Sequence, residues 1–269
     1  MATAASANKA KIAKRVIEVL EFFDEEHREA TVMDIVRRYK RPQSSTSELL
    51  TSLVDLGLLY KDPQARSYTL TPRAAMLGSH FQPDMVRDGR LTALIDRLPA
   101  QTGLSVAVFG MVGLNAQIFT WRSGNRRLRA GGSEIFCGGL QERLTESAAG
   151  WLLLSSVAQP RRDGMVRRLN AEAPDDRKFS FSEMSMRVQA SRDRGYAVGP
   201  VGFGSNADVC AVLLAGQPEH QPLAIGFVYD RSEPVDTTAL VQCLQYSVQR
   251  CGEQAPQMPG MVQPFPSAA

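Results

Sequence analysis

The sequence has no long apolar run. Its longest weakly interrupted one, Leu104 to Leu114, is about eleven residues, against the ~18 that a membrane-spanning helix needs. The opening Met-Ala-Thr-Ala-Ala-Ser-Ala-Asn-Lys lacks the basic-then-apolar pattern of a signal peptide, so a cytoplasmic protein with no membrane partner is expected. Cysteine and histidine are scarce. Cys137, Cys210, Cys243 and Cys251 include no C-x-x-C pair, and only His27, His80 and His220 could join them. That excludes the closely spaced ligand sets of a zinc site and leaves the thiols as buried or half-buried side chains. An excess of one charge is also missing: 31 basic residues face 28 acidic ones, for a net +3. Nucleic-acid binding must therefore come from where the charges sit, not from their total. There is no G-x-S-x-G elbow, no P-loop lysine motif and no H-E-x-x-H, and Gly199 to Gly204 lacks the G-x-G-x-x-G spacing. No enzyme activity, cofactor or metal is expected.

The 269 residues, 43% hydrophobic and 22% charged, fit a soluble globular chain of two modest domains or one large one. The first stretch reads as a compact helical module. Ile12, Val16, Val19, Leu20 and Phe23 form one stripe of an amphipathic helix, which the polar turn Asp24 to Glu29 ends. Thr31, with Asp34 three residues on, is a capping-box start for a short helix whose apolar face is Val32, Ile35, Val36 and Tyr39. Pro42 marks both a stop and a start. The third helix runs from about Gln43 or Ser44 to Leu56, with Leu49, Leu50, Leu53, Val54 and Leu56 on its buried side and Gly57 closing it. Leu58 to Lys61 and Ser67 to Leu70 then read as a hairpin around Asp62-Pro63-Gln64-Ala65-Arg66. Helix, helix, polar-fronted helix and hairpin is the order of a winged helix-turn-helix.

Thr71 to Gly78 suggests a short helix, and Asp84 to about Gln101 a longer linker helix, which Gly89 weakens. Past Gly103 the period turns strand-like. Leu104 to Met111 and Asn115 to Arg122 form a hairpin around Val112-Gly113-Leu114, while the basic, glycine-rich Gly124 to Gly139 fits no element clearly. Helical signals return at Glu146 to Val157, Arg162 to Glu172 and Ser182 to Arg194. Val209 to Ala215 and Leu223 to Tyr229 read as paired strands, Val235 to Cys251 as a terminal helix, and the Pro-, Gln- and Met-rich segment after Gly252 as a frayed tail. The second part is thus α+β, a mainly antiparallel sheet with helices.

A helix can enter the DNA major groove only if its leading residues are small or polar enough to approach base edges. Gln43, Ser44, Ser45, Thr46 and Ser47 meet that need, and Lys40 and Arg41 just before them could neutralise phosphates. Arg66 at the wing tip, with Lys61 beside it, could reach an adjacent groove or backbone. Serine and threonine at a helix start also serve as caps, so the ordered set of proline entry, glycine exit and wing carries more than the run alone. Arg37 and Arg38 lie near Glu25, Glu26 and Glu29, which could neutralise them.

The segments Pro42 to Leu50, Leu53 to Leu59, Asp62-Pro63 and Tyr68-Thr69-Leu70-Thr71-Pro72-Arg73 resemble the DNA-binding domain of the IclR family of bacterial transcription regulators. Arg194-Gly195-Tyr196-Ala197 and Leu144 to Leu154, with Gly150, extend the resemblance into the second half. The resemblance implies a winged helix-turn-helix at residues 8–78, a linker helix region at 79–101, a GAF-like effector-binding and oligomerisation domain at 102–252 and a flexible tail at 253–269. It also implies a homodimer, or dimer of dimers, on double-stranded operator DNA, with affinity altered by a small organic effector, aromatic compounds included. Phe109, Met111, Phe119, Trp121, Thr145, Ser147, Trp151 and Cys210 fall on elements that could line the effector pocket, or they could simply be core. Arg126, Arg127 and Arg129 could hold a carboxylate or lie in a solvated loop. Two departures point to a more apolar ligand, or none. Thr145 stands where the family usually has histidine, and the glycine-rich Gly199 to Asn206 replaces acidic residues. A winged helix that contacts a protein partner, and a MarR-like regulator, are the other readings; the long second half and the Arg194-Gly195-Tyr196-Ala197 turn speak against the latter.

Overall fold

The computed structural model describes residues 4–24, 27–78, 83–126, 128, 136–217 and 221–253. The chain divides into two compact units, one ending at Gln82 and the other beginning at Pro83.

The first unit holds α1 (Ala4–Phe22), α2 (Val32–Tyr39), α3 (Gln43–Asp55), β1 (Leu59–Lys61), β2 (Tyr68–Leu70) and α4 (Pro72–Met76). The capping box at Thr31 forms as the sequence predicts. Thr31 Oγ1 accepts from the Asp34 N–H at 3.4 Å, and Asp34 Oδ2 accepts from the Thr31 N–H at 2.8 Å. Thr31 donates both its hydroxyl and its amide hydrogen to the Asp34 carboxyl, which holds that group below the ordinary aspartate range. α3 ends in a Schellman motif. Gly57 has φ +70°, its N–H donates to Val54 O at 2.8 Å, and the Leu58 N–H donates to Leu53 O at 2.9 Å. β1 and β2 pair antiparallel, and Ala30 bridges to Tyr68 as a further short rung. Val19, Ile35, Leu50, Leu53, Leu59 and Tyr68 close the core. Two expected core positions lie outside it: Ile12 and Leu56 are exposed. Leu56 is the cap residue of α3, where the chain turns off the helix and the helical stripe ceases to predict direction.

The second unit holds α5 (Asp84–Arg87), α6 (Arg90–Thr102), β3 (Ser105–Val112), β4 (Asn115–Arg122), β5 (Gln141–Arg143), α7 (Ala148–Ser155), α8 (Arg161–Glu172), α9 (Phe181–Arg194), β6 (Tyr196–Pro200), β7 (Ala207–Leu213), β8 (Leu223–Asp230) and α10 (Thr237–Glu253). Its six-stranded antiparallel sheet runs β5-β4-β3-β8-β7-β6. Alternation along the strands feeds two cores. Ala107, Phe109, Val209 and Ala211 face the α7, α8 and α9 side, whereas Val106, Val108, Cys210 and Val212 face α6 and α10.

The helix expected over Asp84 to Gln101 is broken. Gly89 sits at φ +75° between α5 and α6, and the Arg90 N–H donates to Asp88 Oδ1 at 3.1 Å to start the second piece. Met85, Leu91, Leu94, Ile95 and Leu98 are buried within the second unit's own core. Gly195 caps α9 at φ +73°, and the next residue opens an edge strand, β6, where a turn was expected. The segment beyond residue 253, expected to be frayed, lies outside the described residues, as does most of Gly124 to Gly139. No helix among the described residues is long and apolar enough to cross a membrane.

Candidate DNA-binding surface and ligand-binding face

Packing α3 through Leu50 and Leu53 turns a polar face outward. Gln43, Ser44 and Glu48 are exposed, Ser47 is half-buried, and Thr51 and Ser52 continue the face one turn further on. Those last two were missed by the sequence reading. Their signal was the helical step itself, since Thr51 follows Ser44 by seven residues and Ser47 by four.

Thr46 is a correction. It is only 2% exposed, in phase with Leu50 and Leu53, and its Oγ1 donates to Pro42 O at 2.9 Å. It anchors the helix start and cannot touch a base from there. Ser45 is half-committed as well, because Arg15 Nη2 donates to its carbonyl at 2.9 Å and lies 3.2 Å from its hydroxyl. Arg41 forms a half-buried ion pair with Glu18, so its charge is already balanced at the foot of α3. Lys40 remains exposed, in the left-handed region at φ 49°.

The wing is held by Asp62. Its Oδ1 accepts from the Gln64 and Ala65 N–H groups at 2.7 and 3.0 Å, and its carbonyl accepts from the Arg66 N–H at 3.0 Å. Arg66 and Lys61 are exposed on it, with Lys61 Nζ 5.7 Å from the centre of the Tyr68 ring. Lys40, Lys61 and Arg66 are thus cations at the surface, whereas Arg37 lies 3.9 Å from Asp34.

In the second unit the eight candidate effector residues separate. Phe109, Met111, Trp121, Thr145, Ser147 and Trp151 gather on the α7 face of the sheet. Cys210 does not, because strand alternation turns it to the opposite core, where burial and then Cys243 push its thiol up to about 12. Phe119 is 48% exposed, beside a register shift in the β3–β4 ladder, and its ring lies across Gly110. Ser147 caps α7 by accepting from the Gly150 N–H at 3.0 Å, and Trp151 Nε1 donates to Thr145 O at 2.8 Å. A Cβ on Gly150 would stand 2.1 Å from Leu144 O, so only glycine lets α7 approach that turn. Arg126 pairs with Glu233 at 2.9 Å rather than waiting for a carboxylate, and Arg127 and Arg129 lie outside the described residues.

Two aromatic residues on this face were not singled out in advance. Phe136 stacks on Trp121 at 4.6 Å, and Phe203 sits 6.3 Å from both Phe136 and Phe109. Phe203 is 7% exposed and takes φ +56°, a region that non-glycine residues seldom occupy; its N–H donates to Glu142 Oε2 at 2.8 Å. Only the flanking glycines hinted at this loop. The bulkiest side chain in it packs its ring between those of Phe109 and Phe136.

A family model, the IclR helix-turn-helix domain, matches residues 13–63. No curated protein matches the chain. Among solved structures, an IclR transcriptional regulator from Alicyclobacillus acidocaldarius is 20% identical with a TM-score of 0.57, over 91% of this chain and 97% of that one. An IclR homologue from Microbacterium hydrocarbonoxydans, complexed with 4-hydroxybenzoate, is 17% identical with a TM-score of 0.56, over 89% and 97%. The Thermotoga maritima IclR is 12% identical with a TM-score of 0.55, over 91% and 96%.

Proposed function

From the premise that the N-terminal domain is an IclR helix-turn-helix and that the chain has the fold of IclR transcription regulators, we propose that this protein is a cytoplasmic, sequence-specific regulator whose second unit takes a small organic ligand. The observation that carries the DNA reading is the outward face of α3. Gln43, Ser44 and Ser47 offer hydrogen-bonding groups at the leading end of a helix that its inner face holds by burial. Lys40, Lys61 and Arg66 supply phosphate contacts around it. A homodimer, or a dimer of dimers, would place two such helices on a palindromic operator.

The ligand reading rests on the α7 face, with the complex of the Microbacterium homologue and 4-hydroxybenzoate in support. We take Phe203 as the side chain that an aromatic ligand would replace; it lies on a glycine-flanked loop with φ values of +83° at Gly202 and +70° at Gly204 and stacks near Phe109. Ligand entry exchanges that ring for the ligand's own. A ligand that favours one arrangement of the protein shifts DNA affinity by its difference in affinity for the two.

The test is binding of the purified protein to DNA from upstream of its own gene, against scrambled DNA, at two salt concentrations, with and without 4-hydroxybenzoate. Preferential binding that falls steeply with salt supports the regulator. Binding to neither DNA by a folded protein favours a protein-partner module instead. A shift in DNA affinity with 4-hydroxybenzoate, together with quenched Trp121 or Trp151 fluorescence, supports the ligand reading.

A further inference from the structure

Away from the α7 face, α8 and α9 flank an open cleft of about 400 Å³. This is within the range of small-molecule sites. Among the described residues, three buried side-chain polar atoms lack a hydrogen-bond partner: Arg15 Nε, Arg162 Nη1 and Ser185 Oγ. Two of the three belong to residues that line this cleft, Arg162 on α8 and Ser185 on α9.

Arg162 is 8% exposed. Its Nη2 is held by Gln189 Oε1 at 3.1 Å, which fixes the guanidinium while Nη1 is left with nothing to donate to. A buried guanidinium hydrogen without an acceptor is costly, because the group has given up water and received nothing for it. The group that repairs both defects at once is an acceptor carrying negative charge and two oxygens. One oxygen would take the Arg162 N–H and the other the Ser185 hydroxyl. The remaining walls set the rest of the ligand. Val166, Phe181 and Met186 line the same space and favour an apolar body. Asp163 also lines it and accepts from Gln159 Nε2 at 2.9 Å; its negative charge disfavours a second carboxylate and can receive an ammonium.

We propose that the α8–α9 cleft is a binding site for a small monocarboxylate with an apolar body, gripped by Arg162 and Ser185. It is separate from the α7 face and does not depend on the regulator reading. Such a carboxylate could come from a simple fatty acid or from an amino acid, and Asp163 distinguishes the two.

The test is calorimetric titration of the full-length protein with 3-methylbutanoate, L-leucine and the neutral 3-methylbutanamide. The acid is expected to bind saturably, one per chain, and the amide at least about tenfold more weakly, since it lacks the charge-assisted contacts. Leucine binding more tightly than 3-methylbutanoate identifies the amino acid, and the reverse order identifies the simple acid; both support the site. Because Arg162 is buried and its loss could unfold the unit, the main variant is M186W. Met186 is 62% exposed at the rim, so the tryptophan is expected to fill the cleft and abolish binding with the melting temperature unchanged. Ser185→Ala should weaken binding several-fold, and Phe203→Leu should leave it unchanged. Absence of saturable binding by both acids, equal binding of acid and amide, or full binding by M186W overturns the proposal. None of these outcomes bears on DNA binding.

Discussion

The division of labour along α3 can be tested with two substitutions that the bare sequence treats as equivalent. Thr46→Val removes the hydroxyl that donates to Pro42 O at 2.9 Å and replaces it with a methyl group of similar shape. The lost hydrogen bond is worth ~0.5–1.5 kcal/mol net. The carbonyl is not orphaned, because the Thr46 N–H also reaches it at 3.2 Å. Burying the added methyl returns up to ~0.8 kcal/mol. The net loss is therefore about 1.5 kcal/mol at most, or a fall in melting temperature of no more than roughly 6–12 °C for a domain this size. Discrimination between operator and scrambled DNA should not move. Ser44→Ala should do the opposite. The side chain is exposed, so stability stays within ~0.5 kcal/mol, while the loss of one base hydrogen bond of ~1 kcal/mol cuts discrimination about fivefold. Thermal unfolding and fluorescence anisotropy on the same preparations read both quantities. Loss of discrimination in Thr46→Val at constant stability, or an inert Ser44→Ala, would refute the assignment of the inner and outer faces.

Arg66→Ala and Lys40→Ala should each weaken binding to operator and scrambled DNA alike and lower the slope of log affinity against log salt by about one; unchanged slopes would remove them from the phosphate contacts. Thr31→Ala should cost about 1 kcal/mol in unfolding experiments, with α2 fraying first by hydrogen exchange. The Asp34 carboxyl is held below its ordinary value, so its stabilisation is complete above the unfolded value near ~4 and is lost as pH falls through the folded one. The acid limb of a stability–pH curve should therefore be shallower in Thr31→Ala than in the parent. Cys210, with its thiol pushed up to about 12 and its side chain buried, should resist iodoacetamide at neutral pH in the folded protein and react once denaturant is added; rapid labelling of the native protein would contradict its placement.

What the sequence made legible were features whose cause is local. The Thr31–Asp34 box, the Gly57 exit from α3 and the Asp62 turn each depend on a few adjacent residues, and each forms where its residues predict. The burial of Thr46 was legible too, but only by giving spacing precedence over polarity: it is four residues from Leu50 and seven from Leu53, the step that defines the inner face. Other features were hidden because their cause is distant. Cys210 and Val209 are neighbours in a strand buried on both faces, and alternation there separates two cores without saying which is which. β5 is three residues long and exists by pairing with β4, so its own sequence holds almost no signal. The break at Gly89 was visible as a weakness, yet Asp88 and the docking of Met85 and Leu91 in one core turned it into a boundary.

The placement of Phe203 bears most directly on what a ligand for the α7 face must be. A buried phenylalanine contributes ~1.5–3 kcal/mol of transfer free energy, and stacked or edge-on aromatic neighbours add ~0.5–1.5 kcal/mol. An incoming molecule has to replace that contribution before it gains any affinity. The Phe109, Phe136 and Trp121 rings that remain present aromatic surface, so a planar aromatic body recovers it most completely. Opposing this cost is the strain of a phenylalanine at φ +56°, which release of the loop relieves. Release also frees the Glu142 carboxylate from the Phe203 N–H and leaves it seeking a donor. On the proposed exchange the expected ligand is an aromatic ring bearing a hydrogen-bond donor that can reach Glu142, and a small aliphatic acid is expected to be disfavoured. The same aliphatic acid is the chemistry suited to Arg162 and Ser185 in the α8–α9 cleft, so the two sites are expected to select different molecules.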